Sequence, residues 1–338
     1  MPQVREPDQN PWQVAVVGGS KNVADDVCEV TLLAERHVVA APGSHIDIRV
    51  PDTLDDVRSY SVVLCDEGGA RLAIAVRLSP SSTGGSRYIH GLRPGDPVEI
   101  TEPRQKFPLR AHAAKYILLA GGIGITPIRS MARTLQQLGA DYSLVYVGRS
   151  KSAMPYLDEL AELHGDRLVT HVSDENNPLD VSALTALITS GVPGTEVYMC
   201  GPIRLMDAVR HSWQEAALPQ ASLRFETFGN SGAFAAEAFS VRVPRLGLEV
   251  TVPPDATLLE SLEMAGAEVM SDCLQGECGL CTVKVLDVSG VIDHRDVFLS
   301  EGQKRAGARL CTCVSRVARS SAGAHADQQI ATLTIEIP

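Results

Sequence analysis

From Trp12 to Thr101 the apolar positions gather in short β-branched runs at Val14–Val17, Val27–Leu33, His45–Val50, Tyr60–Leu64 and Leu72–Leu78, punctuated by glycine and proline. Runs of this length at this spacing predict an antiparallel β-barrel or sandwich rather than a helical bundle. The period then changes. Tyr116-Ile117-Leu118-Leu119-Ala120 is a continuous apolar stretch that passes through Gly121-Gly122-Ile123-Gly124-Ile125-Thr126-Pro127 into a helical segment, Ile128–Leu138. Apolar strands at Ser143–Val147, Leu168–Val172 and Glu196–Cys200 alternate with helical segments near Pro155–Leu163, Ser182–Thr189 and Ile203–Ala217, a βαβ rhythm that predicts a parallel sheet. Small residues at Gly229–Ala233 read as a linker. A third pattern follows: strands Phe239–Val243 and Glu249–Val252, a helix over Leu258–Gly266, a cysteine-rich loop, strand Thr282–Leu286 and a last strand Ala331–Ile337, which together predict an α+β unit. These shifts set expected limits of 10–110, 111–228, a linker at 229–238, and 239–338. Ser320–Gln329 is low in complexity and reads as a loop, and no internal repeat is evident.

A chain of 338 residues exceeds what one hydrophobic core usually serves, in keeping with a multidomain protein. No apolar run approaches the roughly 18 residues of a membrane span, and Met1–Pro11 lacks a signal peptide's apolar stretch, so a cytoplasmic location without membrane association is expected. The formal net charge of −11 disfavours a nucleic-acid partner and favours one with a basic surface. Five of the eight cysteines lie between Cys273 and Cys313, a clustering that reads as metal ligation in a reducing compartment rather than disulfide stapling. Cys28 and Cys65 sit in expected barrel strands as small buried residues.

Cys273, Cys278 and Cys281 follow C-x4-C-x2-C, the plant-type [2Fe–2S] spacing, and the fourth thiolate comes from Cys311 or Cys313. Gly276 and Gly279 allow the loop between them to bend around a cluster. Structural zinc more often shows two C-x2-C-like pairs. His294 in a charged turn resembles a Rieske-type ligand, but such centres need two histidines and a lone one is usually structural.

Four further motifs have an ordinary and a functional reading. The turn Gly121–Thr126 is either a tight strand-to-helix connection or a place where a pyrophosphate reaches N–H groups at a helix start. Cys200-Gly201-Pro202 lies at the end of the fourth strand of the expected sheet, where open α/β sheets bind ligands, or simply starts a helix. Arg58-Ser59-Tyr60-Ser61 offers a guanidinium for phosphate and a ring for stacking, or is a surface arginine beside a half-buried tyrosine. Gly84-Gly85-Ser86 is a phosphate-binding turn or a hairpin loop.

The order Arg58-x-Tyr60-Ser61, Gly84-Gly85-Ser86, Gly121–Pro127, Cys200-Gly201-Pro202, Phe225-Glu226-Thr227-Phe228-Gly229 and the cysteine loop resembles the phthalate dioxygenase reductase family, vanillate demethylase reductases included, over nearly the whole chain. The resemblance implies a flavin-binding antiparallel barrel, a ferredoxin reductase-like α/β domain for NADH, and a C-terminal β-grasp domain of plant-type ferredoxin kind. It implies that Arg58 and Ser86 hold the flavin phosphate, with Gly84 and Gly85 beside them, and that Ser59, Tyr60 and Ser61 line the flavin. Gly121, Gly122, Gly124 and Thr126 bind the dinucleotide, Thr126, Cys200, Gly201 and Pro202 lie by the nicotinamide, Ser61, Thr126 and Cys200 flank the hydride path, and Phe228 covers one flavin face. FMN is the flavin expected rather than FAD, and NADH the donor, although Arg149 and Lys151 are cations placed to meet a 2′-phosphate. The family's last ligand precedes Val-Ser-Arg, which selects Cys313 over Cys311, and Val317–Gln329 is longer than the family pattern. A hydride donor and a one-electron cluster on one chain call for a flavin between them, and the implied recipient is the terminal component of a Rieske non-haem iron oxygenase acting on an aromatic compound. Other readings are a reductase for a cytochrome P450 or for free flavin, and a non-catalytic iron–sulfur redox sensor.

Overall fold

The computed structural model describes residues 12–51, 57–79, 84–228, 234, 236–254, 256–319 and 330–338. The start of the chain, the Gly229–Ala233 linker and the Ser320–Gln329 loop lie outside the described residues. Contacts gather the chain into two compact units: residues up to 79 with 84–201 and 216–226, and residues 202–215 with 227–338.

The first unit opens with β1 (Trp12–Ala24), β2 (Val27–Ala34), β3 (Ser44–Arg49), β4 (Val57–Cys65), β5 (Arg71–Arg77), α1 (Gly85–Gly91), β6 (Pro97–Thr101) and β7 (Arg104–Gln105). Antiparallel neighbours run β4-β5-β2-β1-β6-β3, and β3 pairs back onto β4, so six strands close a barrel with β7 appended to β3. Closure removes the unpaired edges that an open sheet would present. Strand alternation fills the interior: Ala15 and Val17 are buried, whereas Val14 and Val16 point outward at 43% and 41% exposure. The sequence pattern did not mark α1, because its glycines interrupt the helical period, yet its Ile89 packs into the barrel core. Cys28 is buried there, and burial pushes its thiol up to about 11.

The unit continues with β8 (Lys115–Gly121), α2 (Ile125–Gln137), β9 (Tyr142–Gly148), α3 (Leu157–His164), β10 (Leu168–Val172), α4 (Val181–Thr189), β11 (Thr195–Cys200), α5 (Ile203–Glu215) and β12 (Leu223–Glu226), of which α5 groups with the second unit. The five strands are parallel in the order β10-β9-β8-β11-β12. The chain therefore reverses direction across the sheet between β8 and β11. Helix α2 starts at Ile125, three residues before its expected start at Ile128, because Pro127 falls in the first turn, where its missing N–H is not needed. The short strand β12 was not expected from its mixed residues.

The second unit contains β13 (Phe239–Val243), β14 (Leu248–Val252), α6 (Leu258–Met264), β15 (Thr282–Ser289), β16 (Val291–Asp293), α7 (Glu301–Ala306), β17 (Arg309–Cys311), β18 (Arg316–Ala318) and β19 (Ala331–Glu336). The main sheet runs β14-β13-β19-β15-β17, with β13 and β19 parallel and the other pairs antiparallel. Leu258 and Leu262 of α6 pack onto it beside Phe239, Val241 and Ile335, which completes a β-grasp unit. A capping box starts α6: Thr257 Oγ1 accepts the Glu260 N–H at 3.1 Å, and Glu260 Oε2 accepts the Thr257 N–H at 2.6 Å. Among the described residues no helix is long and apolar enough to cross a membrane.

Arg316 is buried in this unit, donates to the carbonyls of Ala256, Glu237 and Pro253, and lies over the Phe239 ring at 5.2 Å. Arg316→Met leaves those carbonyls without a charged donor. The variant is expected to lose about 3 kcal/mol of stability in this unit, read by denaturant unfolding. An unchanged midpoint would show that water replaces the guanidinium.

Candidate functional site

Cys273, Cys278 and Cys281 lie on the loop between α6 and β15, and Cys313 follows β17. Gly279 has φ +77, and a Cβ there would stand 2.3 Å from the Phe298 ring, so the loop closes only with glycine at this point. The Gly276 carbonyl accepts the N–H groups of Val297 and Phe298 at 3.0 and 3.1 Å, which ties the loop to the segment before α7. Four sulfurs are thereby set in two pairs. Cys281 Sγ is 3.2 Å from Cys313 Sγ, and Cys273 shares a hydrogen bond with Cys278.

The N–H groups of Gln275, Glu277 and Cys278 point at Cys273 Sγ from 3.5, 3.3 and 3.3 Å, and that of Gly276 is directed at Cys313. Donors aimed at sulfur favour the thiolate, although at Cys273 burial outweighs them and pushes its thiol up. Hydrogen bonding with Cys311 and Cys313 holds the Cys281 thiol well below the usual thiol range, while the bond shared with Cys281 and burial push Cys313 up. Among the described residues no three or more His, Cys, Asp or Glu side chains close on a single ion. Two thiol pairs ringed by N–H donors suit two irons, so these residues fit a [2Fe–2S] cluster. Cys311 is fully buried and its sulfur lies 3.6 Å from Thr282 Oγ1; it touches Cys281, but Cys313 also receives the Gly276 N–H.

Beneath the loop Asp296 is fully buried and accepts from the Leu299 N–H at 2.8 Å and Ser315 Oγ at 3.3 Å. Burial alone would raise its pKa, but the adjacent His294 imidazole, the hydrogen bond from the Leu299 N–H and the nearby Lys304 charge hold it below the usual carboxylate range. His294 thus leans on Asp296, Nδ1 3.5 Å from Oδ1. Buried Thr227 also grips the loop: its N–H donates to Glu277 Oε1 at 2.7 Å, and its hydroxyl lies 2.7 Å from the Gln275 carbonyl. Nothing in the sequence spacing links Thr227 to loop residues fifty positions later, so its grip on the loop is visible only in the fold. Its neighbour Phe228 is half-buried and belongs to the second unit, as does Pro202 at the start of α5.

In the first unit, the ends of β8 and β11 lie side by side where the strand order reverses. Open α/β sheets place ligands at such a switch point. A Cβ on Gly124 would stand 2.2 Å from the Cys200 carbonyl oxygen, so the Gly121–Thr126 turn and the Cys200–Gly201 loop touch backbone to backbone. Gly122 has φ +52 with open space beside it. Thr126 is buried, and its hydroxyl donates to the Ile123 carbonyl at 3.0 Å, which leaves its lone pairs as acceptors. Cys200 is buried at the same floor. Arg149 and Lys151, cations that could meet a 2′-phosphate, each lie near a carboxylate: Arg149 Nε is 3.7 Å from Asp174 Oδ1, and Lys151 Nζ is 3.0 Å from Glu175 Oε2.

On the barrel, Gly85 brings two motifs together. A Cβ there would lie 2.8 Å from Arg58 Cγ and 3.0 Å from the Tyr60 hydroxyl, so β4 and the start of α1 form one cradle that residues without side chains keep open. This fits a phosphate with a ring beside it. Arg58 and Tyr60 are half-buried, and Ser61 is buried on the opposite face of β4. Ser59 turns elsewhere: its hydroxyl donates to Asp47 Oδ1 at 2.5 Å, in a polar group that Arg104 completes at 3.0 Å. Ser86 Oγ accepts the Ser79 N–H at 3.2 Å, and Gly84 precedes α1 with φ +107.

A family signature described as a 2Fe-2S iron-sulfur cluster binding domain matches residues 241–318, and one described as an oxidoreductase NAD-binding domain matches residues 118–211. The chain is 37% identical over 298 residues to the phenoxybenzoate dioxygenase subunit beta of Ectopseudomonas oleovorans, covering 86% of this chain and 90% of that protein. It is similar to the solved structure of phthalate dioxygenase reductase, described as modular for electron transfer from pyridine nucleotides to [2Fe–2S], with 30% identity and a TM-score of 0.70 over 96% of this chain and 98% of that one. It is also similar to 42% of an intact type IV self-sufficient cytochrome P450 monooxygenase, which spans 98% of this chain at 33% identity and a TM-score of 0.63.

Gly279→Ala is expected to push the Phe298 ring aside and open the cysteine loop. Iron per chain and visible absorbance should fall at least severalfold, while the barrel's unfolding midpoint stays put. Full iron loading would show that the loop accommodates a methyl group.

Proposed function

The chain belongs to the phthalate dioxygenase reductase family, and on that premise we propose that it is the NADH-dependent, FMN-carrying reductase of a cytoplasmic two-component Rieske non-haem iron oxygenase acting on an aromatic compound. The observation that carries this reading is the paired set of cysteine sulfurs on a chain that also builds a dinucleotide crevice. A hydride donor and a one-electron carrier on one chain require a cofactor able to use both currencies. When bound, flavin takes the hydride and releases its electrons singly to the cluster, and the protein supplies binding, orientation and electrostatics.

Each part of the chain then has a task, with the flavin on residues 10–110, the dinucleotide on 111–228 and the cluster on 239–338. Arg58 neutralises the FMN phosphate, Ser86 donates to it, and Gly84 and Gly85 let it approach. Tyr60 and Ser61 flank the ring system. Gly121, Gly122 and Gly124 admit the pyrophosphate to the start of α2, which spans Ile125–Gln137 and carries a partial positive charge there. Thr126 and Cys200 border the nicotinamide. Cys273, Cys278, Cys281 and Cys313 hold the cluster. Asp174 and Glu175, by occupying Arg149 and Lys151, favour a ribose hydroxyl over a 2′-phosphate and hence NADH. The similarity to part of a P450 monooxygenase supports a second reading, in which the electrons leave to a haem protein.

Anaerobic titration with NADH, followed by visible absorbance and low-temperature EPR, tests the reading. Flavin bleaching with a rhombic reduced [2Fe–2S] signal is expected; bleaching without that signal reduces the proposal to a flavin reductase. Turnover with a purified Rieske oxygenase or a P450 separates the two acceptors. Cys313→Ser is expected to abolish the cluster and Cys311→Ser to retain it, and the reverse pattern would reassign the fourth ligand. The double variant Asp174→Asn with Glu175→Gln should raise kcat/KM for NADPH about tenfold, equivalent to ~1.4 kcal/mol, without a comparable gain for NADH. Equal effects on both nucleotides would remove these carboxylates from the choice.

A further inference from the structure

We propose that Arg129 is a positioning residue for hydride transfer, setting the spacing between the strand that contacts the flavin ring and the helix that receives the nicotinamide. The proposal rests on the function stated above and on an observation that function does not use. The β4–β5 ladder slips between Val62 and Leu64, a bulge that leaves Val63 outside the regular pairing. Arg129 donates through Nη1 to the Val63 carbonyl. Val63 is two residues beyond Ser61 on β4, and Arg129 is one helical turn beyond Thr126 on α2. A single guanidinium therefore ties the two segments whose separation decides how closely the two rings meet.

The guanidinium is itself held on every side. Its Nε and Nη2 donate to Glu159 Oε1 of α3 at 3.2 and 2.6 Å, and its face lies over the Tyr156 ring at 4.6 Å. Tyr156, kept at φ +64, donates its hydroxyl to Glu29 Oε2 of β2 at 2.7 Å, and Glu29 pairs with Lys21 at 3.1 Å. Arg129 is only 8% exposed. Its partner Glu159 is 47% exposed, and a partly solvated pair of this kind adds little stability, so stability alone does not explain an arginine here. What the planar fork adds over an apolar side chain is direction: it fixes a carbonyl on the barrel against a helix of the parallel sheet. Reaction between bound partners depends steeply on such alignment, and a displacement of about 1 Å can lower a rate roughly 100-fold.

The test uses the full-length, flavin- and cluster-loaded protein in anaerobic stopped-flow, comparing wild type with Arg129→Met, Arg129→Lys and Glu159→Gln. In Arg129→Met the rate of flavin reduction per bound flavin should fall between about 10- and 100-fold. The NADH Kd should change less than about threefold, and the primary deuterium isotope effect with 4-deuterated NADH should rise. Arg129→Lys should recover part of the rate. Amide hydrogen exchange should quicken in residues 57–65 and 121–129 and nowhere else, a change that needs no turnover. If Arg129→Met does not fold, Glu159→Gln, which keeps the guanidinium, should still slow reduction about threefold or more and raise the isotope effect. Rates and isotope effects within twofold of wild type in the folded variants would overturn the proposal. Failure of wild-type flavin to be reduced by NADH would overturn the functional reading instead, before any variant is compared.

Discussion

At position 124 the backbone of one loop rests on the backbone of another, with the Cys200 carbonyl only 2.2 Å from where any Cβ would stand. That contact makes a crevice of the sheet's switch point, because it seats the turn after β8 on the loop after β11. It also sets the direction in which α2 leaves the turn. Thr126 then falls on the crevice floor, with its hydroxyl spent on Ile123, and Arg129 points to the bulged carbonyl of Val63. A side chain at 124 would shift all of these together.

The cysteine loop follows a similar logic with a different currency. Its backbone must turn its N–H groups inward, toward sulfur, instead of pairing them in a ladder. Gly279 permits the turn, and the Gly276 carbonyl and Thr227 anchor it from outside. Asp296 below accepts the Leu299 N–H of the turn before α7 and the Ser315 hydroxyl from the segment after β17. The charged groups in this region pair largely with one another, Arg295 with Asp293 and Lys304 with Asp207, and His294 likewise rests on Asp296.

Much of the architecture was legible because each part has its own period. Alternating β-branched runs marked the barrel, and continuous apolar strands separated by helices marked the parallel sheet. The expected strands Leu168–Val172 and Phe239–Val243 coincide with β10 and β13. The elements that escaped are mostly those whose local signal is contradicted by glycine or proline, or is too short to have a period: α1 between glycines, β6 opening on Pro97, the short α7 and β7, β12, β16, β17 and β18, and the start of α2 at Ile125 ahead of Pro127. The motif residues were legible as types, but their partners were not. Ser59 pairs with Asp47, and Arg149 and Lys151 are taken by Asp174 and Glu175.

By itself the sequence determined the three kinds of unit, their order and the chemistry available to them, because spacing such as C-x4-C-x2-C and a strand, glycine turn and helix in succession are local properties of a chain. Which cysteine faces which, which cation is already neutralised, and which arginine reaches a bulged carbonyl were decided by tertiary structure alone. These depend on distances between residues far apart in sequence, such as Cys281 and Cys313 at 3.2 Å or Arg129 of α2 and Val63 of the barrel strand β4, and no local period records such a distance.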